Sequence, residues 1–278
     1  GRGAAGERLF GLSTAAAAWL VLLLLAGTAV AMAWGGRLAF STFGARFLSS
    51  TQWNAVEGNF GALVPIYGTL VTSAIALVIA VPVSLGIALF LTEIAPRWAR
   101  QPVGIAIELL AAIPSIIYGM WGLFVFAPFM GAHVQPWLIQ HLGDAPGIGA
   151  LFQGAPIGIG MLTAGMVLGI MIIPFIAAVA RDVFAAVPPS LREAAVALGE
   201  TMAVTFVLGN AHTLSASLLM PSNSIAAAIA NEFTEADTEL YRSSLVALAF
   251  LLFVVTFIVL SLAKLLLRRM DRSLGRTH

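Results

Sequence analysis

The sequence predicts an all-α protein that crosses a membrane several times, and three observations lead to that class. Of 278 residues, 60% are hydrophobic and 10% charged, whereas an ordinary soluble domain carries about 25% charged residues. No soluble core could absorb that much apolar surface, so lipid must solvate much of the chain. Five apolar stretches, Leu12 to Trp34, Val64 to Thr92, Val103 to Met130, Pro156 to Ala180 and Ser243 to Ala263, meet the roughly 18–20 residues that a helix needs to cross a hydrocarbon layer about 30 Å thick. The basic residues fall outside the middles of these stretches.

The first stretch follows Arg2 and Arg8, as the apolar region of a secretory leader would. A leader's apolar region is about 7–15 residues long, and Leu12 to Trp34 has 23, so a retained helix is expected. Residues 1–63 form this helix and an external segment, Gly35 to Leu63, ahead of the main membrane domain at 64–267; a basic tail follows at 268–278. Two further external segments, Gly131 to Ala155 and Ala211 to Leu240, are also rich in Gly, Pro, Ser, Asn and aromatic residues, and read as ordered loops with short interfacial helices. Trp34, Trp53, Trp121 and Trp137 lie at or near the proposed outer boundaries, where an indole can be half buried and half wet.

Within the stretches, the polar residues are the ones to weigh. The second carries Thr69, Thr72, Ser73 and Ser84, and the third Glu108, Ser115 and Tyr118. Glu108 lies about five residues inside its stretch, where snorkelling can hydrate it, and Pro114 frees a backbone carbonyl. Together these groups could line a polar path, although each alone more often packs helices. Gly165 and Gly169 of the fourth stretch form a G-x-x-x-G, a spacing that permits close helix approach.

Basic residues near span ends favour the cytosolic side. With the N-terminus inside, Arg2, Arg8, Arg97, Arg100, Arg181, Arg192, Lys264, Arg268, Arg269, Arg272 and Arg276 fall inside, and Arg37, Arg46 and Arg242 outside, which accounts for all 14. The fourth stretch then ends inside, and the fifth must begin outside to deliver its basic tail to the cytosol. A crossing between them is required, and Ala194 to Asn210 supplies it. At 1.5 Å per residue its 17 residues reach only about 25 Å, and they include Glu200. Five clear transmembrane helices plus one shortened one are therefore expected.

The stretches GNFGALVPIYGTLVTSAIAL, AVPVSLGIALFLTEIAP, IELLAAIPSIIYGMWGLFVFAPF, PPSLREAAVALG, ETMAVTFVLGN and NSIAAAIANEF resemble the PstC-type permease of phosphate ABC importers from about Gly58 onward. The resemblance implies the type I ABC importer permease fold and a pore-forming subunit in the bacterial cytoplasmic (inner) membrane, with both termini cytosolic. It also implies a second, PstA-type permease subunit, an ABC ATPase dimer and an external phosphate-binding protein as partners. ATP is then used on the partner ATPase, and this chain binds no cofactor and no metal.

The resemblance further marks Arg192, Glu193, Ala194, Ala195 and Gly199 as the opening of the EAA loop, the short helix that docks into the ATPase. Ser190 as N-cap with Glu193 at the third helical position makes a capping box for that helix. Glu200 and Thr201 match a membrane segment of the family and, with Glu108, Ser115 and Tyr118, are the path candidates. In the family a long segment separates these two pieces, and an Arg precedes the Glu by four residues. Here Gly199 runs directly into Glu200, and position 196 is Val. An apparent deletion therefore lies between Gly199 and Glu200, leaving two outcomes: a permease impaired by a truncated coupling loop, or a decayed copy that inserts without ATPase coupling.

An intramembrane enzyme has little support. The sequence holds no H-E-x-x-H, no G-x-S-x-G and no P-loop, its four His lack ligand spacing, and it has no cysteine. Nothing in it points to nucleic acid.

Overall fold

The computed structural model describes residues 2–186 and 211–274. It is built of helices. α1 (Arg2–Gly35) leads through α2 (Arg37–Phe43) and α3 (Arg46–Ser49) to a hairpin of β1 (Trp53–Asn54) and β2 (Asn59–Phe60), paired antiparallel with Trp53 opposite Phe60. α4 (Leu63–Leu89) and α5 (Arg97–Ala111) follow. α6 (Ser115–Trp121), α7 (Ala127–Phe129) and α8 (Gln135–Leu142) run on as one rod. α9 (Met161–Ala186), α10 (Ile225–Glu232) and α11 (Glu239–Leu274) complete the described chain.

Among the described residues, five helices are long and apolar enough to cross a membrane: Phe10–Gly35, Leu63–Thr92, Ser115–Leu142, Met161–Arg181 and Glu239–Ser261. The five clear spans expected are found, with two boundaries corrected. The stretch Val103 to Met130 is not one span. Proline has no N–H to continue a helix and disfavours helical geometry at its predecessor, Ile113, and Pro114 itself is extended (φ −56°, ψ 137°). It thereby cuts α5 from the rod that begins at Ser115, which carries the third crossing on to Leu142. Residues 131–142 are thus helical, and Trp121 sits seven residues into the third span, away from the outer boundary proposed for it. The fourth span starts at Met161 because residues 156–160 are not helical, with Gly158 at φ +83°. The proposed sixth crossing, 194–210, lies outside the described residues.

Three wider helical turns occur. Phe90–Ile94 closes the second span, where Ala95 leaves the helix in extended conformation; Gly122–Phe126 and Met130–Val134 each end two residues before a proline of the rod, at 128 and 136. In the rod, such a turn makes room for the ring that would otherwise strike the preceding carbonyls.

The central contact is α4 against α9, around Ala76, Ala80, Ala164, Val167 and Leu168. Gly165 makes it possible: a Cβ there would lie 2.6 Å from Ile75 Cβ, and one at Gly169 would lie 3.3 Å from the Ala76 carbonyl oxygen. A second core joins α2, α3 and the hairpin to α10 and α11 through Ala39, Phe47, Phe60, Ile225, Tyr241 and Leu248. Ser243 ties it to α1, accepting from Ala39 N at 3.0 Å and donating to Gly35 O at 2.9 Å. The three loop-rich segments therefore gather at one end of the bundle. Leu218 N donates to Leu151 O at 2.8 Å, and Ala62 N to Phe47 O at 2.6 Å.

Candidate functional site

At this capped end, Glu232 closes α10 at the centre of a buried polar node. α10 begins where Ser224, in extended conformation, accepts from Ala227 N at 3.1 Å, a serine N-cap that satisfies one of the helix's free donors. Eight residues later its last carboxylate faces three donors. Trp53 Nε1 reaches Oε2 at 2.5 Å, Tyr241 Oη reaches the same oxygen at 2.6 Å, and His212 Nε2 reaches Oε1 at 2.6 Å. The Trp53 ring stacks on His212 (5.1 Å, 4° between planes) and meets Phe60 edge-on, while Phe60 stacks on Tyr241 at 4.9 Å.

Glu232 is 8% exposed. Burial alone would push its carboxyl up; the hydrogen bonds from His212, Tyr241 and Trp53, with the His212 charge, outweigh it and hold the group below the usual carboxylate range. The node therefore ties the hairpin, the 211–224 segment, α10 and α11 to one ionised group.

Next to it, Asn223 turns its side-chain amide to His212 Nε2 at 3.1 Å, and α10 is seated on α4, where Ile225 N donates to Thr69 Oγ1 at 3.0 Å. Gly68 permits that seat, since a Cβ would collide with the Asn223 carbonyl oxygen. Among the described residues, buried Ser222 Oγ and Asn223 Oδ1 make no hydrogen bond, and no group of three His, Cys, Asp or Glu is placed to hold a metal ion.

The residues expected from sequence lie elsewhere. Glu108 Oε1 accepts from Arg181 Nη2 at 2.6 Å, at the end of the bundle opposite the node, with the Glu108 side chain 54% exposed. Gly104 makes room for this pair, because a Cβ there would be 2.5 Å from Arg181 Nη1. Tyr118 is buried in the α4–α9 core and donates its hydroxyl to Leu110 O at 3.1 Å, bracing the break between α5 and α6. Ser115 is half-buried at the first position of α6. Thr72 donates to Gly68 O at 2.7 Å, Ser73 is half-buried, and Ser84 donates to Ile173 O at 3.1 Å, joining α4 to α9. Arg192, Glu193, Ala194, Ala195, Gly199, Glu200 and Thr201 lie outside the described residues.

The Glu232 node is the feature that sequence reasoning missed. One signal for it was present: an acid closing the otherwise apolar run Ile225 to Ala230, which must be buried or paired if that helix packs.

Among curated proteins, the chain is similar to the phosphate transport system permease protein PstC of Xylella fastidiosa, 52% identical over 306 positions that cover 99% of this chain and 94% of that protein. The PstC proteins of Mesorhizobium japonicum (51% identical, covering 97% of this chain and 92% of that protein) and Pasteurella multocida (52%, covering 97% and 94%) agree with it as closely. The alignment to the Xylella fastidiosa protein is 28 positions longer than the 278 residues of this chain, so at least that many of its positions have no counterpart here. No family model and no solved structure matches.

Proposed function

Because this chain belongs to the PstC family of phosphate transport system permeases, we propose that it is the pore-forming permease subunit of an ATP-driven phosphate importer. It is a multi-pass membrane protein and a transport subunit, not itself an enzyme. The observation that carries the reading is identity above 50% across nearly the whole chain to proteins of that name.

The finer assignments follow from the sequence. A PstA-type permease, an ABC ATPase dimer that uses the ATP, and an external phosphate-binding protein complete the assembly in the bacterial inner membrane. Both termini are cytosolic. That orientation is supported by the gathering of the loop-rich segments at one end and by the Arg181–Glu108 pair at the other. Arg192, Glu193, Ala194, Ala195 and Gly199 serve ATPase coupling, and Glu200 and Thr201 belong to the translocation path. Glu108, Ser115 and Tyr118 flank the inner mouth of the path. The main membrane domain is 64–267, with the N-terminal helix packed beside it and a basic tail after it.

We propose that the deletion lies between Gly199 and Glu200, a reading supported by an alignment 28 positions longer than this chain. Coupling is therefore weak in the chain as it stands. Growth on limiting phosphate tests this in a host lacking its own PstC-type subunit. The chain carrying the Xylella fastidiosa segment grafted after Gly199 restores growth, and the ungrafted chain does not. Failure of the grafted chain, expressed and inserted at normal levels, would contradict the reading.

A further inference from the structure

The loops at the capped end hold a cavity separate from the Glu232 node. Phe43, Arg46, Ser49, Ser50, Gln52 and Asn59, with Phe60, enclose about 360 Å³, within the range of about 300–1,000 Å³ of small-molecule sites. Its wall carries one cation, several hydroxyl and amide groups, and no carboxylate. A wall of that kind selects against cations and suits an anion.

The three arginines of this end differ in what they do. Arg37 lies over the Trp34 ring at 4.3 Å, and Arg242 Nε donates to Ala236 O at 2.9 Å. The Arg46 guanidinium lines the cavity and makes no hydrogen bond or ion pair among the described residues. Of the neutral groups, Ser50 Oγ accepts from Gln52 N at 3.2 Å, and Asn59 Nδ2 leans toward exposed Glu57 at 3.5 Å. Ser49 and the Gln52 side chain make no such bond.

We propose that this cavity is an outer oxyanion site that takes inorganic phosphate, with Arg46 supplying the charge and Ser49, Gln52 and Asn59 neutral donors. The anion is named on the strength of the phosphate-importer reading. A guanidinium offers two parallel N–H groups to two oxygens of a tetrahedral anion. Exposure of Arg46 keeps binding loose, as suits a station that must admit an ion and release it onward.

The absence of cysteine from the chain allows a direct test in membrane vesicles. A Ser49→Cys variant is labelled with an anionic and with a cationic methanethiosulfonate reagent, with and without inorganic phosphate at constant ionic strength; Ser41→Cys on α2 is the control. Compared with the Arg46→Gln background, Arg46 should speed the anionic reagent at Ser49→Cys by about fivefold and slow the cationic one by a similar factor, the effect of one unit charge about 4 Å away in water. Millimolar phosphate should slow that labelling and leave Ser41→Cys unaffected. Adding Arg46→Gln should remove both effects, and Arg46→Lys should keep part of each. The proposal is overturned if phosphate gives no protection, if chloride protects equally, or if protection survives Arg46→Gln. Labelling needs no transport, so a chain that moves no phosphate still gives a clear answer, and the importer reading stands or falls on uptake.

Discussion

Replacing Glu232 should be among the most damaging single changes at the capped end. In Glu232→Gln the shape stays and the charge goes. Trp53, Tyr241 and His212 all direct donors at the two oxygens, within 2.5–2.6 Å; the new amide keeps one acceptor and turns an NH₂ against a donor. A hydrogen bond to a charged group contributes about 1.5–3 kcal/mol. The Trp53 and His212 side chains are partly exposed, so water can replace some of their loss, whereas Tyr241 is 7% exposed. A cost of about 2–3 kcal/mol follows for Gln, and about 3–5 kcal/mol for Ala, the usual range when one partner of a buried pair is removed. Tyr241→Phe, which removes one of the three bonds, should cost about 1.5 kcal/mol. Reversible unfolding in detergent, followed by tryptophan fluorescence, measures all three. The double variant Glu232→Gln/Tyr241→Phe should fall short of the sum, because both changes remove the same bond. A Gln variant within about 0.5 kcal/mol of the parent, the scatter of ordinary surface changes, would refute the node.

The same carboxyl sets a pH dependence. Its folded value is depressed below the unfolded 4.5, so its contribution is complete above that value and is lost as pH falls through the folded one; the unfolding midpoint of the parent should drop in that window more steeply than that of Glu232→Gln. At the helix crossing, Gly165→Leu must displace Ile75, whose Cβ would be 2.6 Å from the first added carbon. Overpacking of this kind costs about 1–3 kcal/mol or more, and unfolding of that variant reads it; an unchanged midpoint would contradict the α4–α9 packing. For orientation, single cysteines at exposed Arg97 and Asp144 should label from the cytosolic and external sides respectively, and labelling of Arg97→Cys from outside intact cells would reverse the topology.

Five spans were legible in the sequence because hydropathy over about 20 residues is the dominant physical signal in a lipid-solvated chain. The Gly165/Gly169 spacing likewise identified a close helix contact that the fold displays. The third span was misread because Val103 to Ala111 is nearly as apolar as the rod beyond it, and only Pro114 marks the break. The Glu232 node was illegible for a different reason. Trp53, His212, Glu232 and Tyr241 are drawn from four segments up to 188 positions apart, and no local pattern encodes a meeting that the packing of α10 on α4 and α11 creates. Tyr118 adds a second such case: its hydroxyl donates to the Leu110 carbonyl across the break at Pro114, a contact no local pattern encodes.

The central claim, a phosphate permease with weakened coupling, is tested most directly by ATP-driven uptake of labelled phosphate into proteoliposomes. The chain is reconstituted with the proposed partners, a PstA-type permease, an ABC ATPase and a phosphate-binding protein, with and without the Xylella fastidiosa segment grafted after Gly199. The grafted chain should take up phosphate only when ATP and binding protein are both present, and the ungrafted chain should give little. Equal, robust uptake by both would contradict the weakened coupling, and no uptake by a correctly assembled grafted complex would contradict the phosphate permease itself.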